Sequence, residues 1–259
     1  MRKETVLITG ASAGIGRDLA SVFAANGHDL FLIARSRDRL KELAAKLENE
    51  HGVSVEIVPK DLYRPDSARD LFNTLERRGI KIDVLVNNAG VLQNSQFSDT
   101  PLPETLALLQ LNLVTPTALT HLFLGPMLDR GHGRILNVAS TAAFQPLARV
   151  AVYAAAKAYL LHLSEALSEE LRGTGVTVTA LCPGFTKTEM MSDSTDFAHV
   201  PSFAVSDAGD VARDGYRACM DGAPVYVSGA VNQFITEMIR FQPRWLVRAI
   251  TGMVARQYR

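Results

Sequence analysis

The sequence lacks charge asymmetry, has little cysteine, and has no long uninterrupted apolar run. Lys plus Arg number 27 and Asp plus Glu number 27 over 259 residues, so the formal net charge is zero. No overall field draws nucleic acid or an acidic partner to the surface. The two cysteines, Cys182 and Cys219, stand far apart without metal-ligand spacing, and nothing suggests a disulfide framework or a metal site. Cys182 falls in a strand-like run, where a buried thiol is expected. Residues 1–9 are charged and then apolar only briefly, too short for a secretory segment or a membrane span. No later apolar run reaches about 18 residues without charge. A soluble, cytoplasmic protein is the expectation.

What is present is a succession of strand and helix patterns with no linker between them. Val6-Leu-Ile-Thr9 is apolar and passes at once into Gly10-Ala-Ser-Ala-Gly14-Ile-Gly16, followed by a helical pattern through Leu19, Ala20, Phe23 and Ala24. Strand, glycine turn and helix form the setting of a dinucleotide-binding fingerprint. Glycines let the backbone approach a pyrophosphate, and a helix N-terminus offers free N–H groups and a positive dipole end.

Residues 28–34 form a second buried-strand run, ending in Ala34 and Arg35, with no acid before Asp38. An acid there suits the ribose hydroxyls of NAD, whereas an Arg suits a 2′-phosphate. Arg35 therefore points to NADP. The alternative is that Arg35, Arg37 and Arg39 decorate a solvated helix start, although cations are unfavourable at that end of a helix dipole.

Val53–Val58 alternates as a third strand ending near Asp61-Leu62, and Asp66 is placed to cap a helix running to Arg78. A fourth strand, Asp83–Asn87, leaves into Asn88-Ala89-Gly90. Asp61 and Asn88 thus fall at strand ends, where open α/β sheets bind ligands, though either also serves as an ordinary turn former. The next helix carries Leu106, Leu109, Leu113 and Leu119 with Asn112 embedded in it. A fifth strand, Gly133–Ala139, leads to Ser140, and a sixth, Val176–Cys182, to Pro183-Gly184. Phe185–Phe203 reads as a long loop of the kind that forms lids, Asp207–Met220 as a short helix, and Pro224–Val227 as a final strand. Six or seven βα units in succession predict one doubly wound α/β domain over residues 1–229, a parallel sheet with helices on both faces.

Between the fifth and sixth strands lies an alanine-rich helical stretch holding Tyr153-Ala-Ala-Ala-Lys157. Residues four apart share a helix face, so the phenol and the ammonium enter the same space. A neighbouring cation stabilises a phenolate and is expected to draw its pKa down from near ~10.

Taken in order, these motifs resemble the short-chain dehydrogenase/reductase superfamily, over nearly the whole chain. The resemblance implies a single Rossmann-type domain of about seven strands and a catalytic tetrad of Asn112, Ser140, Tyr153 and Lys157. Tyr153 is implied as general acid in carbonyl reduction and general base in alcohol oxidation. Ser140 is implied to position the reacting oxygen, and Lys157 to lower the Tyr153 pKa and hold the nicotinamide ribose. Asn112 is implied to hold, through its helix backbone, a water that relays protons from Lys157. For the cofactor, the resemblance implies Gly10, Ser12, Ile15 and Gly16 around the pyrophosphate and adenosine ribose, and Arg35 and Ser36 on the 2′-phosphate. It places Asp61 and Leu62 at the adenine, Asn88, Ala89 and Gly90 beside the ribose, and Pro183, Gly184, Thr186 and Thr188 at the nicotinamide end. Two positions depart from the pattern: Ala13 replaces a second basic residue found in some NADP users, and Thr186 replaces a commoner apolar one.

The implied activity is NADP(H)-dependent interconversion of a carbonyl and an alcohol, with NADP(H) favoured over NAD(H). Phe185, Met190, Met191, Phe197 and Phe203 in the expected lid suggest an apolar small-molecule substrate. A non-catalytic dinucleotide-binding sensor with the same fold is the alternative, disfavoured because no tetrad residue is missing. A homodimer or homotetramer is expected.

Residues 230–259 stand apart as a C-terminal helical extension. Val231, Phe234, Ile235, Met238, Trp245, Leu246, Ile250 and Met253 recur at helical spacing, interrupted at Pro243, with Arg240, Arg244, Arg248, Arg256 and Arg259 among them. No acid follows Glu237. Packing on its own domain or on an identical subunit is the favoured expectation for this stripe, and peripheral contact with a membrane is the second.

Overall fold

The computed structural model describes residues 3–189 and 205–257, with side chains to residue 253. Its first half alternates β1 (Thr5–Thr9), α1 (Gly14–Ala25), β2 (Asp29–Ala34), α2 (Arg37–His51), β3 (Val55–Pro59), α3 (Ser67–Arg77) and β4 (Val84–Asn87). A long rod follows, composed of α4 (Leu102–Leu109), a π-helical turn (Gln110–Val114) and α5 (Thr115–Asp129). Then come β5 (Gly133–Val138), a 3-10 turn (Thr141–Phe144), α6 (Ala151–Glu170), β6 (Val176–Cys182), α7 (Ala208–Asp221), β7 (Val225–Val227), α8 (Ala230–Arg240) and α9 (Arg244–Gln257).

The seven strands form one sheet in the order β3-β2-β1-β4-β5-β6-β7, every pairing parallel. Side chains on a strand alternate between faces, and β1 divides accordingly. Val6 and Ile8 join Phe23 of α1, Leu40 and Leu47 of α2 and Val211 of α7 on one side. Leu7 joins Leu71 and Leu75 of α3 and Leu119 and Phe123 of α5 on the other. Both faces are therefore covered, which a parallel sheet with two-sided apolar strands requires. The strand order reverses between β1 and β4, and the crevice outside their carboxyl ends is the place such sheets bind ligands.

Several local expectations shift. β3 begins at Val55, two residues later than the alternation suggested. Asp66 occupies the position before α3 but makes no capping bond and is itself helical, whereas Asp207 caps α7 by accepting from Gly209 N at 2.8 Å. The rod from Leu102 to Asp129 is long and apolar enough, by length and composition, to cross a membrane. The expectation that no stretch qualifies rests on unbroken apolarity; here Gln110, Asn112, Thr115, Thr117 and Thr120 interrupt the stretch between Glu104 and Asp129, which itself holds no Asp, Glu, Lys or Arg. In this fold Leu111, Leu119, Phe123 and Met127 of the rod pack in the core. Met190, Met191, Phe197 and Phe203 of the expected lid lie outside the described residues.

Candidate functional site

The carboxyl end of β1 delivers the chain into a glycine turn whose shape admits nothing larger. Gly10 has φ +68°, and an added Cβ there would lie 2.8 Å from Asn88 Nδ2. At Gly16 an added Cβ would lie 2.3 Å from the Gly10 carbonyl oxygen. Thr9 and Asn88 fix this turn to β4. The Thr9 hydroxyl donates to Val86 O at 3.1 Å and accepts from the backbone N–H groups of Asn88 and Ala89 at 3.0 and 3.1 Å. Asn88 Nδ2 donates back to Thr9 O and Gly10 O at 2.9 and 3.2 Å. Asn88 thus spends its amide on shaping the turn. No side chain caps α1 at Ala13, so the first N–H groups of this helix face the crevice without a side-chain acceptor. Ser12 is half-buried in the turn; Ile15 packs its side chain on the core, leaving its backbone to face a ligand.

At the end of β2, Arg35 is exposed and its guanidinium lies 5.4 Å over the ring of Tyr63. Tyr63 was not singled out from sequence; its signal is an aromatic residue two positions beyond Asp61. An aromatic face orients a planar guanidinium that must meet a phosphate. Asp61 accepts from Tyr63 N at 3.1 Å, which fixes that loop. Leu62 turns inward, only 4% exposed, with its carbonyl accepting from Thr115 Oγ1 at 2.9 Å. Ser36 stands just before α2 with no capping bond, and Arg39 pairs with Glu189 at 2.8 Å.

On the opposite side of the crevice the tetrad positions converge. Lys157 is 5% exposed; its Nζ donates to Val138 O at 2.7 Å and lies 5.7 Å from the centre of the Tyr153 ring. Burial lowers the Lys157 pKa to about 8, while the neighbouring Cys182 sulfur acts in the opposite sense. Burial also pushes the Tyr153 phenol upward, opposed by a hydrogen bond with Ser140. This corrects the expectation of a lowered Tyr153 pKa: desolvation outweighs the favourable partner, and Lys157 sits over the ring face instead of at the hydroxyl. Ser140 follows β5, accepts from Ala142 N at 3.1 Å, and directs its hydroxyl toward Pro183 O at a long 3.4 Å.

Asn112 lies within the π-helical turn and is fully buried. Its amide meets both backbone groups of Val91, accepting from N at 2.9 Å and donating to O at 2.7 Å. That pairing explains a mediocre helix former in the rod, since a π-turn widens the helix locally and aims one residue inward. Gly90 separates Asn112 from Lys157: a Cβ there would lie 2.6 Å from Asn112 Oδ1 and 3.6 Å from Lys157 Nζ. Beyond β6, Pro183 O accepts from Thr141 N at 2.8 Å. The first turn of α8 places Asn232 against Gly184, where an added Cβ would be 2.4 Å from Nδ2. The unusual Thr186 is buried, donates to Gly184 O at 3.0 Å, and bridges to Ser206. Its hydroxyl closes this turn. Thr188 reaches across to the glycine turn, where a Cβ on Gly14 would lie 3.1 Å from its methyl group.

Residues 4–198 match the family model described as short chain dehydrogenase. The chain belongs to the short-chain dehydrogenase family. Ketoacyl reductase HetN of Nostoc sp. is 34% identical over 192 residues, 74% of this chain and 67% of that protein. The short-chain dehydrogenase from Sphingobium yanoikuyae, solved in complex with NADPH, is 33% identical with a TM-score of 0.82, covering 92% of this chain and 93% of that one. The bulky-bulky ketone specific alcohol dehydrogenase from Comamonas testosteroni is 28% identical with a TM-score of 0.79, covering 93% of each chain. As a short-chain dehydrogenase the protein is an oxidoreductase acting on CH–OH groups with a nicotinamide dinucleotide, and its Rossmann-type sheet is that of the family.

Proposed function

We propose that this short-chain dehydrogenase is an NADP(H)-dependent reductase of apolar ketones or aldehydes, with Tyr153 as the proton donor. The observation that carries the reading is the meeting of Tyr153, Ser140 and Lys157 across the crevice from the glycine turn and Arg35. A dinucleotide fits what is there: a cradle at Gly10 and Gly16 that a Cβ would fill, an uncapped helix N-terminus, and a guanidinium presented on Tyr63. Arg35 and Ser36 would hold the 2′-phosphate, the start of α1 the pyrophosphate, and Lys157 the nicotinamide ribose. The nicotinamide, when bound, supplies the hydride.

The remaining chemistry belongs to the chain. A phenol whose pKa is raised stays protonated at neutral pH, so Tyr153 holds the proton a carbonyl oxygen needs as it becomes an alkoxide. The Ser140 hydroxyl, weakly engaged with Pro183 O, is positioned to turn toward that same oxygen and stabilise its developing charge. An ammonium has three donors, and Lys157 commits one to Val138 O, leaving others for the ribose and for water on the way to Tyr153. With its pKa lowered to about 8, Lys157 exchanges its proton more readily near neutral pH than an ordinary lysine, which suits a relay. Asn112 holds the Val91 loop beside Lys157 and keeps that path in register.

An apolar substrate is supported by Phe185, which is 44% exposed just past β6, and by the ketone named for the Comamonas testosteroni enzyme. Direct binding of NADPH and NADH, followed by NADPH consumption with a panel of bulky and small ketones, tests the reading. Tighter NADPH binding and turnover biased to bulky ketones support it. Binding without turnover on any ketone favours the sensor.

A further inference from the structure

The C-terminal helices are amphipathic in the wrong sense for self-packing. In α8 the residue turned into the protein is Thr236, 3% exposed, with its hydroxyl donating to Asn232 O at 2.9 Å. The apolar stripe faces outward: Phe234 is 68% exposed and Phe241, just past the helix, 80%. Val231, Ile235 and Met238 continue that face at helical spacing, each exposed. In α9, Val247 is the buried anchor, while Trp245, Ile250 and Met253 are exposed. Arg244 and Arg248, one turn apart, line one edge of this apolar arc, and neither is ion-paired among the described residues. Arg240 is held by Glu237 at 3.2 Å. The favoured expectation is packing on its own domain or on an identical subunit; the first of these is not met by the described residues.

The charge distribution selects the occupant of this face. Five arginines and no acid follow Glu237 in a chain whose net charge is zero. In a two-fold interface built from these two helices on both copies, the one carboxylate they could offer Arg244 and Arg248 is Glu237, which already holds Arg240. An anionic lipid surface accepts the arginines at its headgroups and the Trp, Phe, Ile and Met side chains at the acyl boundary. We infer that the outward face of α8 and α9 docks this enzyme peripherally on an anionic phospholipid membrane. Because Asn232 in the first turn of α8 packs against Gly184, docking would hold the mouth of the crevice beside the lipid, where apolar compounds partition.

Trp245 is the only tryptophan in the chain and lies on the proposed face, so its fluorescence reports contact directly. The full-length protein is mixed with phosphatidylcholine vesicles, with or without phosphatidylglycerol, and followed by emission and co-sedimentation. A blue shift and sedimentation with the anionic vesicles alone, weakened by salt, is the expected result. Arg244→Glu with Arg248→Glu should lower partitioning by about tenfold or more, at roughly 1 kcal/mol per charge removed. Phe234→Ser with Phe241→Ser should lower it as well. These positions are exposed, so unchanged thermal unfolding and NADPH binding verify the fold of each variant. Equal binding to neutral and anionic vesicles overturns the inference, as does no binding to either. A self-association that Phe241→Ser abolishes, without any vesicle shift, assigns the face to a second copy and overturns it too.

Discussion

Lys157 Nζ lies 5.7 Å from the centre of the Tyr153 ring and donates at 2.7 Å to the carbonyl of Val138. The two residues share one face of α6, and the bond to β5 fixes that helix against the carboxyl edge of the sheet. The ammonium is thereby kept buried, with a pKa near 8, at the floor of the crevice.

This burial has a signature in stability. Below a pH of about 8 the folded chain holds a charged Lys157 out of water, a penalty that the unfolded chain, with a lysine pKa of 10.5, does not carry. Between those values the unfolded state binds the proton and the folded state does not, so this group's contribution to unfolding free energy rises with pH. Lys157→Met removes the titration. The stability of Lys157→Met relative to wild type should decline as pH rises through this window, by up to about 3 kcal/mol at 1.36 per pKa unit. Denaturant melts of both proteins at several pH values measure it; a difference that does not change with pH contradicts it.

Gly90 gives a steric test of the link between Asn112 and Lys157. Gly90→Ala would bring a Cβ to 2.6 Å from Asn112 Oδ1, forcing the buried amide off Val91. A stability loss of about 1–3 kcal/mol is expected from overpacking. Turnover should fall more than NADPH affinity, because the glycine turn on β1 is untouched. Steady-state kinetics alongside a binding titration check this, and a fall in affinity alone would argue against it.

Cofactor preference rests on Arg35. Arg35→Ala should weaken NADPH binding about 10- to 100-fold, the range for losing charged hydrogen bonds of about 1.5–3 kcal/mol. NADH binding should stay nearly constant. Tyr63→Leu, which removes the aromatic shelf 5.4 Å beneath the guanidinium, should act in the same direction but less strongly. Equal losses for both dinucleotides would place Arg35 outside 2′-phosphate recognition.

The thiols offer a negative control for reactivity at the site. Burial pushes both Cys182 and Cys219 up to about 12, and both are fully enclosed. Neither should react with a thiol reagent in the native protein, and both should react once it is unfolded. Rapid native labelling would show that β6 or α7 opens.

The parts of the fold and site legible from sequence are those encoded locally. The strand, glycine turn and helix at residues 5–25 follow from a run of neighbours, and the shared face of Tyr153 and Lys157 from helical spacing. What escaped depends on partners distant in the chain. The π-turn at Asn112 exists because Val91, 21 residues away, offers both backbone groups to its amide. Tyr63 matters only because β2 and β3 pair in parallel and bring it under Arg35. The direction of the Tyr153 shift depends on how deeply the phenol is enclosed, which spacing does not state. Periodicity likewise revealed amphipathic C-terminal helices but not that Thr236, an uncharged polar residue, is the one turned inward.

The central claim is that this crevice transfers hydride from NADPH to a carbonyl carbon while Tyr153 protonates the oxygen. Mass spectrometry of the alcohol formed from a bulky ketone and NADPH deuterated at the transferable C4 position tests it most directly. One deuterium on the carbinol carbon with wild type, and a rate lowered by about 10²- to 10⁴-fold with Tyr153→Phe, is the predicted result. Deuterium transfer at equal rates by both proteins, or NADPH bound by wild type with no transfer to any ketone, would contradict the account.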